Sequence, residues 1–294
     1  MKIFYYVHTG HRIGLDRFRR AAAIISALGD VDITLLTSDF RIASEAKEYG
    51  IKRSVGIDLV RNIPQIAHHG DALIFDSAES NPTMLEDMVN FFSVFIRISD
   101  DPNEVKHPKE FLISPYLEGD KICKATIVGE QFFEKTEKTI ERCFFFGDDD
   151  YEKDLEKHLD MFAPHKMDLG LGFYYFLEYE ESITPAFEKR YEFEEYEMMI
   201  KSSQTLVSAS PQAILENLAS GGRPIYLQRP DYSKDFIELF NSLHVRIIDG
   251  FNNQELSLAL SKNVSQNHHV LQNDTHKMTL FLKEILTLPR INSN

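Results

Sequence analysis

The sequence has no tryptophan, only two cysteines, and no apolar run of membrane-spanning length. A bilayer-crossing helix needs about 18 or more apolar residues, and the segment from Met1 to Val7 is of strand length without a signal peptide's cleavage site. Cys123 and Cys143 lack ligand-like spacing, which argues against a disulfide framework and a zinc site. We therefore expect a cytoplasmic protein with no membrane span, no bound metal and no cofactor.

Basic residues are scarce: 32 Lys and Arg stand against 46 Asp and Glu, for a formal net charge of −14. Nucleic acid is captured chiefly by summed positive charge, so it is not an expected partner. The sequence nevertheless has a local basic cluster near its start, formed by Arg12, Arg17, Arg19 and Arg20. Residues 174–197 alternate Glu with Phe and Tyr, a pattern that predicts rings in the core and carboxylates in water, with an interaction surface as the alternative.

At 294 residues the chain has the length of two ordinary domains. In both halves strand-like apolar runs alternate with helical patterns, which is typical of parallel sheets with crossover helices. Val94 to Ile98 is one such strand, whereas the charged segment Glu130 to Glu141 has a helical pattern, and a second series of strands opens at Cys143. We predict an α/β fold of two Rossmann-like domains whose parallel sheets face across a cleft, over residues 1–135 and 136–294.

The sharpest local signal is a strand that leads through a serine-rich turn into a helix, from Ser208 to Pro224. Free N–H groups and the positive end of the dipole at a helix start favour a bound phosphate. The hydroxyls of Ser208 and Ser210 add donors, and Glu216 is an acceptor suited to a ribose diol. The alternative is an ordinary N-capped helix with a surface Glu and a glycine at its C-terminal end.

The run Glu-Asn-Leu-Ala-Ser-Gly-Gly-Arg-Pro-Ile, which begins at Glu216, resembles the Glu-x4-Gly-x-Pro segment of the GT-B superfamily of nucleotide-sugar enzymes. Pro224 stands one place later than in that pattern. In the superfamily this Glu binds the ribose of the nucleotide. The resemblance therefore implies a GT-B fold and a nucleotide-sugar partner, of the UDP-sugar class, held by Ser208, Ser210, Glu216 and Asn217.

Over most of its length the chain resembles the UDP-sugar hydrolases of pseudaminic acid biosynthesis within that superfamily. Ile98 to Asp101 and Phe145 to Gly147 fall in the family's order and approximate spacing. In that family the loop after the first strand reads Gly-x-Gly-His-x-x-Arg and carries a catalytic His. The stretch that matches it here, Gly14 to Arg20, has Asp16 at the second glycine and Arg17 at the histidine.

The resemblance, with these departures, yields a set of candidate roles. An arginine stays protonated, so Arg17 cannot replace the histidine as general base. Arg17 or Arg20 is expected to offset phosphate charge as the leaving group departs. His8 and His11 lie in that loop, and an imidazole is a side chain suited to act as a general base. His11 and Asp76 are the candidates for that role. The predicted catalytic residues are thus His11, Arg17 and Asp76. Gly14, Arg20 and Gly147 join the predicted nucleotide contacts.

Two functions remain open at this stage. The first is a UDP-sugar-binding enzyme of the glycosyltransferase or UDP-sugar hydrolase type, in surface or flagellar glycan biosynthesis. The second is a catalytically inactive paralogue that acts as a binding or scaffold protein, because three motifs of the resembled family are changed together. The loop histidine is Arg17, the family's Asp-His-Tyr reads Asp76-Ser77-Ala78, and its Gly-Gly phosphate turn reads Gly147-Asp148-Asp149-Asp150. Neither the sugar, the acceptor nor the oligomeric state follows from the sequence.

Overall fold

A computed structural model describes residues 1–79, 81–175, 177–261 and 271–287. The chain divides into two compact units, of which the first comprises Met1–Thr9, Arg17–Gly129 and the segment that starts at Asp274, and the second comprises Gly10–Asp16 and Glu130–Asn273. The main change of unit thus lies between residues 129 and 130, against the predicted domain change between residues 135 and 136.

The first unit is built on a seven-stranded sheet, all parallel, in the order β3-β2-β1-β4-β5-β6-β7. Its strands are β1 (Ile3–Val7), β2 (Ile33–Thr37), β3 (Ser54–Gly56), β4 (Ala72–Asp76), β5 (Val94–Ile98), β6 (Phe111–Ser114) and β7 (Ile122–Lys124). Its helices are α1 (Asp16–Leu28), α2 (Phe40–Glu45), α3 (Ile63–Ile66), α4 (Pro82–Phe91) and α11 (Thr275–Thr287). Strands β4 and β5 are buried along their whole length, as expected for a parallel sheet covered on both faces.

The last helix, α11, packs with the first unit rather than with residues 136–273, which the predicted domain of residues 136–294 had included. The Thr126 amide donates to Asp274 Oδ2 at 3.0 Å, just before the helix. Lys277 Nζ donates to the Lys124 carbonyl at 2.6 Å, next to the edge strand β7. The helix therefore covers the β7 side of the first sheet, and its buried residues include Met278 and Leu282.

The second unit is built on a six-stranded parallel sheet in the order β10-β9-β8-β11-β12-β13. Its strands are β8 (Ile140–Phe145), β9 (Asp168–Gly170), β10 (Arg190–Tyr191), β11 (Ser203–Ser208), β12 (Ile225–Gln228) and β13 (Arg246–Asp249). Its helices are α5 (Leu159–Phe162), α6 (Leu177–Ile183), α7 (Tyr196–Ser202), α8 (Pro211–Ala219), α9 (Ile237–Ser242) and α10 (Asn253–Ser261). Helix α8 is buried from Pro211 to Leu218, its polar side chains included.

Both sheets have the strand order of the doubly wound Rossmann fold, so the predicted α/β class is confirmed. The order reverses between β1 and β4 in the first sheet and between β8 and β11 in the second. Ligands of open α/β sheets bind beyond the carboxyl ends of the strands at such reversals. We call the carboxyl ends of β1, β4 and β5 and the residues that follow them, with Asp76 and Asp100, the first carboxyl edge. The segments that follow β8, β11 and β12 are the second carboxyl edge.

The helix predicted over Glu130 to Glu141 is wrong. A short 3-10 helix covers Glu130–Phe133, and β8 already begins at Ile140. The strand burial alternates at its start, with Ile140 buried and Glu141 exposed, which is the two-residue period of a strand. The acidic-aromatic stretch follows its predicted pattern, since the rings of Tyr174, Tyr179, Tyr191 and Tyr196 are all buried.

Candidate functional site

The first carboxyl edge is organised by the buried guanidinium of Arg20. Its Nε and Nη2 donate to the two carboxylate oxygens of Asp76, at 2.9 and 2.6 Å. Its Nη1 donates to both oxygens of Asp100, at 2.7 and 2.9 Å. Asp76 ends β4 and Asp100 follows β5, so one fork-shaped cation joins two neighbouring strand ends. Two of the predicted site residues, Arg20 and Asp76, are thus in direct contact.

Arg17 is the more accessible cation at the first carboxyl edge. Its Nε lies 3.7 Å from Asp76 Oδ1, and its side chain is 29% exposed against 8% for Arg20. Arg17 and Arg20 lie on the same face of α1, three residues apart, and therefore reach the same carboxylate. Of these two arginines, Arg17 is the one that an anionic ligand can approach without breaking the buried pair.

His8, the residue after β1, lies beside Glu79, which sequence reasoning did not single out. His8 Nε2 is 3.7 Å from Glu79 Oε2. That carboxylate also accepts from the Tyr6 hydroxyl and, at 3.3 Å, from Ser77 Oγ. Burial lowers the pKa of His8, Glu79 opposes this shift and Arg17 adds to it. A histidine with a lowered pKa is neutral at pH 7, so His8 lies beside Glu79 as a neutral imidazole.

His11 belongs to the second unit, with the loop Gly10–Asp16. Its ring lies 4.3 Å from the Tyr151 ring, centroid to centroid, and edge-on to Tyr174 at 6.4 Å. Arg12 covers the same Tyr151 ring, with its guanidinium carbon 5.3 Å from the centroid. The structure therefore places His11 on an aromatic cluster of the second unit, whereas the other predicted catalytic residues, Arg17 and Asp76, belong to the first.

The second carboxyl edge contains the predicted serine-rich turn, and its donors are engaged by the chain itself. Ser208 Oγ accepts from the Ser210 amide at 3.0 Å. Ser210 is the N-cap of α8 and accepts from the Ala213 amide at 3.1 Å. The Ser210 hydroxyl donates to Asp16 Oδ1 at 2.6 Å, and the Gln212 amide donates to Asp16 Oδ2 at 3.1 Å. A carboxylate thus lies where an anionic phosphate was predicted.

Glu216 lies inside the second unit, in the middle of α8, and is 1% exposed. Its Oε2 accepts from the Tyr196 hydroxyl at 2.7 Å, and its Oε1 accepts from Gln212 Nε2 at 2.9 Å. These bonds satisfy a buried carboxylate, which would otherwise be costly. They also tie α8 to α7, so Glu216 has a packing role whether or not it contacts a ribose.

Asn217, the next residue, joins three elements of the same unit. Its Nδ2 donates to the carbonyls of Ile200 and Ser203, at 2.9 Å each, which links α8 to the end of α7 and the start of β11. A Cβ at Gly222 would collide with the Asn217 amide, and Gly221 has a φ of +77°. The double glycine therefore closes α8 for two reasons: a left-handed cap at Gly221 and close packing at Gly222.

The turn after β8 contains Asp148, Asp149 and Asp150, all buried. Asp148 accepts from the Phe173 amide at 3.1 Å. Asp150 accepts from the Asp154 amide at 2.7 Å and from the Tyr179 hydroxyl. These two aspartates therefore hold loops of the second unit in place.

Asp149 is the aspartate paired with a cation. Arg229 Nη1 donates to its Oδ2 at 3.0 Å. Burial raises the pKa of Asp149 to about 6, while Arg229 opposes the shift and the neighbouring Asp16 and Asp148 add to it. Arg229 is also held by Asp231, to which its Nε and Nη2 donate at 3.0 and 2.6 Å. The strand ends of this edge therefore hold a titratable carboxyl group close to neutrality.

The two predicted phosphate glycines both approach Asp149. Gly14 has a φ of +80°, and a Cβ added to it would lie 3.6 Å from Asp149 Cβ. Gly147 has a φ of +137°, and its Cβ would lie 2.9 Å from Asp149 Oδ1. Both positions require glycine for their backbone conformation, and both bring backbone against a carboxylate.

Among the described residues, no group of three or more His, Cys, Asp and Glu side chains has an arrangement able to hold a metal ion. In the same part of the chain, no helix combines the length and apolar character that a bilayer crossing requires. The two edges present carboxylates, guanidinium groups, hydroxyls, helix starts and the histidines His8 and His11.

No protein-family model matches the sequence, and no curated protein matches it. Solved structures do match over the full length. The UDP-GlcNAc 2-epimerase of Methanocaldococcus jannaschii, solved in complex with UDP-GlcNAc and UDP, superposes with a TM-score of 0.64 at 13% identity, covering 98% of this chain and 99% of that one. The UDP-GlcNAc 2-epimerase of Neisseria meningitidis gives 0.55 at 9% identity over 98% and 100%. A spinosyn rhamnosyltransferase gives 0.57 at 9% identity over 97% of each chain. At these identities the likeness shows the fold alone, which is the predicted GT-B type.

Proposed function

We propose that this protein binds a nucleotide sugar of the UDP-sugar class and belongs, by function, with glycosyltransferases and UDP-sugar hydrolases. The observation that carries the proposal is the full-length likeness to an epimerase solved with UDP-GlcNAc and UDP. The strand-turn-helix from Ser208 into α8 supports it, since this is the backbone arrangement that receives phosphate groups at a strand-order reversal. Glycan biosynthesis is the setting that we infer for such an activity.

Nucleotide binding is tested by melting the protein with UDP, CMP, GDP and their sugars. At a ligand concentration about 100 times Kd, binding to the folded state adds about 2.7 kcal/mol to the free energy of unfolding. We expect UDP and UDP-sugars to raise the melting temperature and the CMP and GDP series to leave it unchanged. The absence of a shift with every nucleotide at millimolar concentration would rule the proposal out.

The predicted site residues are tested one at a time. Within the proposal, His11 or Asp76 accepts a proton, and Arg17 or Arg20 offsets phosphate charge. His11→Ala is expected to abolish UDP release from a UDP-sugar, and Arg17→Ala to weaken it. Lys157→Ala, a change of an exposed cation in the second unit, is the control. Turnover that survives His11→Ala removes His11 from the mechanism.

A second function, a catalytically inactive binding or scaffold protein, is favoured by one specific observation. The anion position at the start of α8 is filled by the Asp16 carboxylate, and Glu216 accepts its hydrogen bonds from Tyr196 and Gln212. This function predicts that no UDP-sugar yields UDP with the pure protein, even where UDP raises the melting temperature. Release of UDP that depends on both the sugar nucleotide and the protein contradicts it.

A further inference from the structure

The N–H groups at the start of α8 can be accounted for completely. Pro211 has none, Gln212 donates to Asp16 Oδ2 at 3.1 Å, and Ala213 donates to Ser210 Oγ at 3.1 Å. The next amide, that of Ile214, donates to the Ser210 carbonyl at 3.2 Å. Because α8 is a nine-residue helix, its dipole favours an anion at this end. The anion present is the Asp16 carboxylate, and no amide of this first turn is left for a phosphate while Asp16 stays.

The charges around this position also oppose a second anion. Asp16 and Asp148 both act on Asp149, and Arg229 divides its donors between Asp149 and Asp231. Asp149 and Asp231 thus share one guanidinium, and Asp16 and Asp148 add further negative charge around Asp149. A diphosphate added next to them meets like-charge repulsion, and Arg229 is already engaged by two carboxylates.

Two buried polar atoms near Asp16 have no hydrogen-bond partner among the residues that the structure describes. One is Asp149 Oδ1, which a Cβ at Gly14 would approach to 3.8 Å, so it faces the loop that carries Asp16. The other is the hydroxyl of the fully buried Tyr226, whose pKa is raised by burial first and then by Asp16. A buried polar atom without a partner costs free energy, so these atoms are suited to the hydroxyl groups of a ligand.

We propose that Asp16 is a specificity-determining residue for the proposed nucleotide-sugar function, on which this inference rests. Its carboxylate is an internal competitor for the ligand phosphate: a phosphate-bearing ligand gains the Ser210 hydroxyl and the Gln212 amide only when Asp16 leaves them. The protein therefore binds UDP less tightly than its fold allows, and loss of the carboxylate strengthens the binding of phosphate far more than that of the nucleoside.

The test compares Asp16→Asn and Asp16→Ala with the unmodified chain and with Asp160→Asn, which removes the same charge at an exposed position of the second unit. Calorimetric titration with UDP and with uridine gives the two affinities. Both Asp16 variants are expected to bind UDP about tenfold more tightly, the effect of removing one competing anion at a helix terminus. The affinity for uridine is expected to stay unchanged in the Asp16 variants, and Asp160→Asn is expected to bind UDP with the affinity of the unmodified chain. An equal gain for uridine and UDP, or no gain for UDP, overturns the inference.

A probe without nucleoside separates this inference from the proposed function. Inorganic pyrophosphate is titrated into labelled protein while the Gln212 amide resonance is followed by NMR. We expect the resonance to shift in Asp16→Asn at concentrations about tenfold lower than in the unmodified chain. If pyrophosphate behaves so while no nucleotide binds, the proposed function fails and the role of Asp16 stands. If UDP binds equally to all variants and pyrophosphate does not shift the Gln212 resonance, the inference about Asp16 is overturned while the proposed nucleotide binding is supported. The melting temperature of each variant shows that it is folded.

Discussion

The two carboxyl edges share a topology and differ in electrostatics. In the first, Arg20 binds Asp76 and Asp100 with all of its terminal nitrogens and Nε, and Arg17 adds a second cation. In the second, Arg229 serves Asp149 and Asp231 while further carboxylates lie close by. The same strand order thus supports one edge where two arginines lie at Asp76 and Asp100, and another where one arginine lies among several carboxylates. Ligand chemistry is decided by the side chains at the strand ends rather than by the fold.

The largest loss of unfolding free energy is expected for Arg20→Met, at the first carboxyl edge. Removing the guanidinium leaves the buried Asp76 without its two-point partner, with Arg17 3.7 Å away. Breaking a buried pair costs about 3–5 kcal/mol of unfolding free energy. Urea unfolding measures the loss. Arg41→Met, which removes an exposed pair with Asp39, is the control at about 0–1 kcal/mol. If the two variants lose equal stability, the first edge is not held by its charges.

A somewhat smaller and pH-dependent loss is expected for Arg229→Met at the other edge. Burial raises the pKa of Asp149 to about 6, and Arg229 opposes that shift, so the variant raises the pKa further. A carboxyl group with a raised folded-state pKa destabilises the protein as pH rises through that pKa. We expect a loss of about 3 kcal/mol at pH 8 that shrinks at pH 5, where Asp149 is protonated.

Urea titrations of the unmodified chain and Arg229→Met across pH 5–8 supply this measurement. Arg190→Met, at an exposed arginine paired with Glu192, serves as the control for general pH effects. A difference between the unmodified chain and Arg229→Met that grows toward low pH would contradict the assignment of the titrating group to Asp149.

Glu216→Gln is expected to cost about 2 kcal/mol, because hydrogen bonds to a charged acceptor are worth roughly 1.5–3 kcal/mol and the amide keeps only part of them. Tyr196→Phe removes one donor to the same carboxylate. Combining the two changes in a double-mutant cycle gives the energy of that bond by urea unfolding. Additive losses would mean that the Tyr196–Glu216 bond contributes nothing. A drop in the UDP-induced melting shift beyond this loss would show that Glu216 also contacts the nucleotide.

The smallest effect, about 1 kcal/mol, is expected for the helix caps. Ser210→Ala removes the cap of α8 and its bond to Asp16, whereas Asn81→Ala removes the side-chain cap of α4 in the first unit. We expect the Ser210 variant to lose more in thermal unfolding, because it breaks two hydrogen bonds rather than one. Equal losses would indicate that Asp16 adds no stability to α8.

Local patterns sufficed for parts of this structure. The segment Val94–Ile98 forms β5 with the predicted bounds, because four of its five residues are apolar and the buried Arg97 is paired with Glu110. Ser210 caps α8 where the turn composition predicted a helix start. The helix predicted from Glu130 failed because charge was given more weight than the two-residue alternation that opens β8.

The partners of the site residues could not be read from local pattern. Asp16 meets Ser210 across 194 positions of sequence, and Arg20 meets Asp76 across 56. Both contacts depend on how strands are ordered in each unit, which periodicity does not encode. The sequence shows Asp16 at the start of a predicted helix, but its bond to the start of α8 depends on the tertiary structure.

The paired glycines after α8 have a consequence for how this turn can change. Gly221 supplies a backbone conformation, and Gly222 supplies room for Asn217. Because each glycine is required for a different reason, we expect substitutions at both positions to destabilise the protein. A smaller side chain at position 217 should rescue substitutions of Gly222 but not those of Gly221. Shortening the turn by one residue would forfeit either the left-handed cap or that room. The number of residues between Glu216 and Pro224 is therefore set by the conformation of Gly221 and the packing at Gly222.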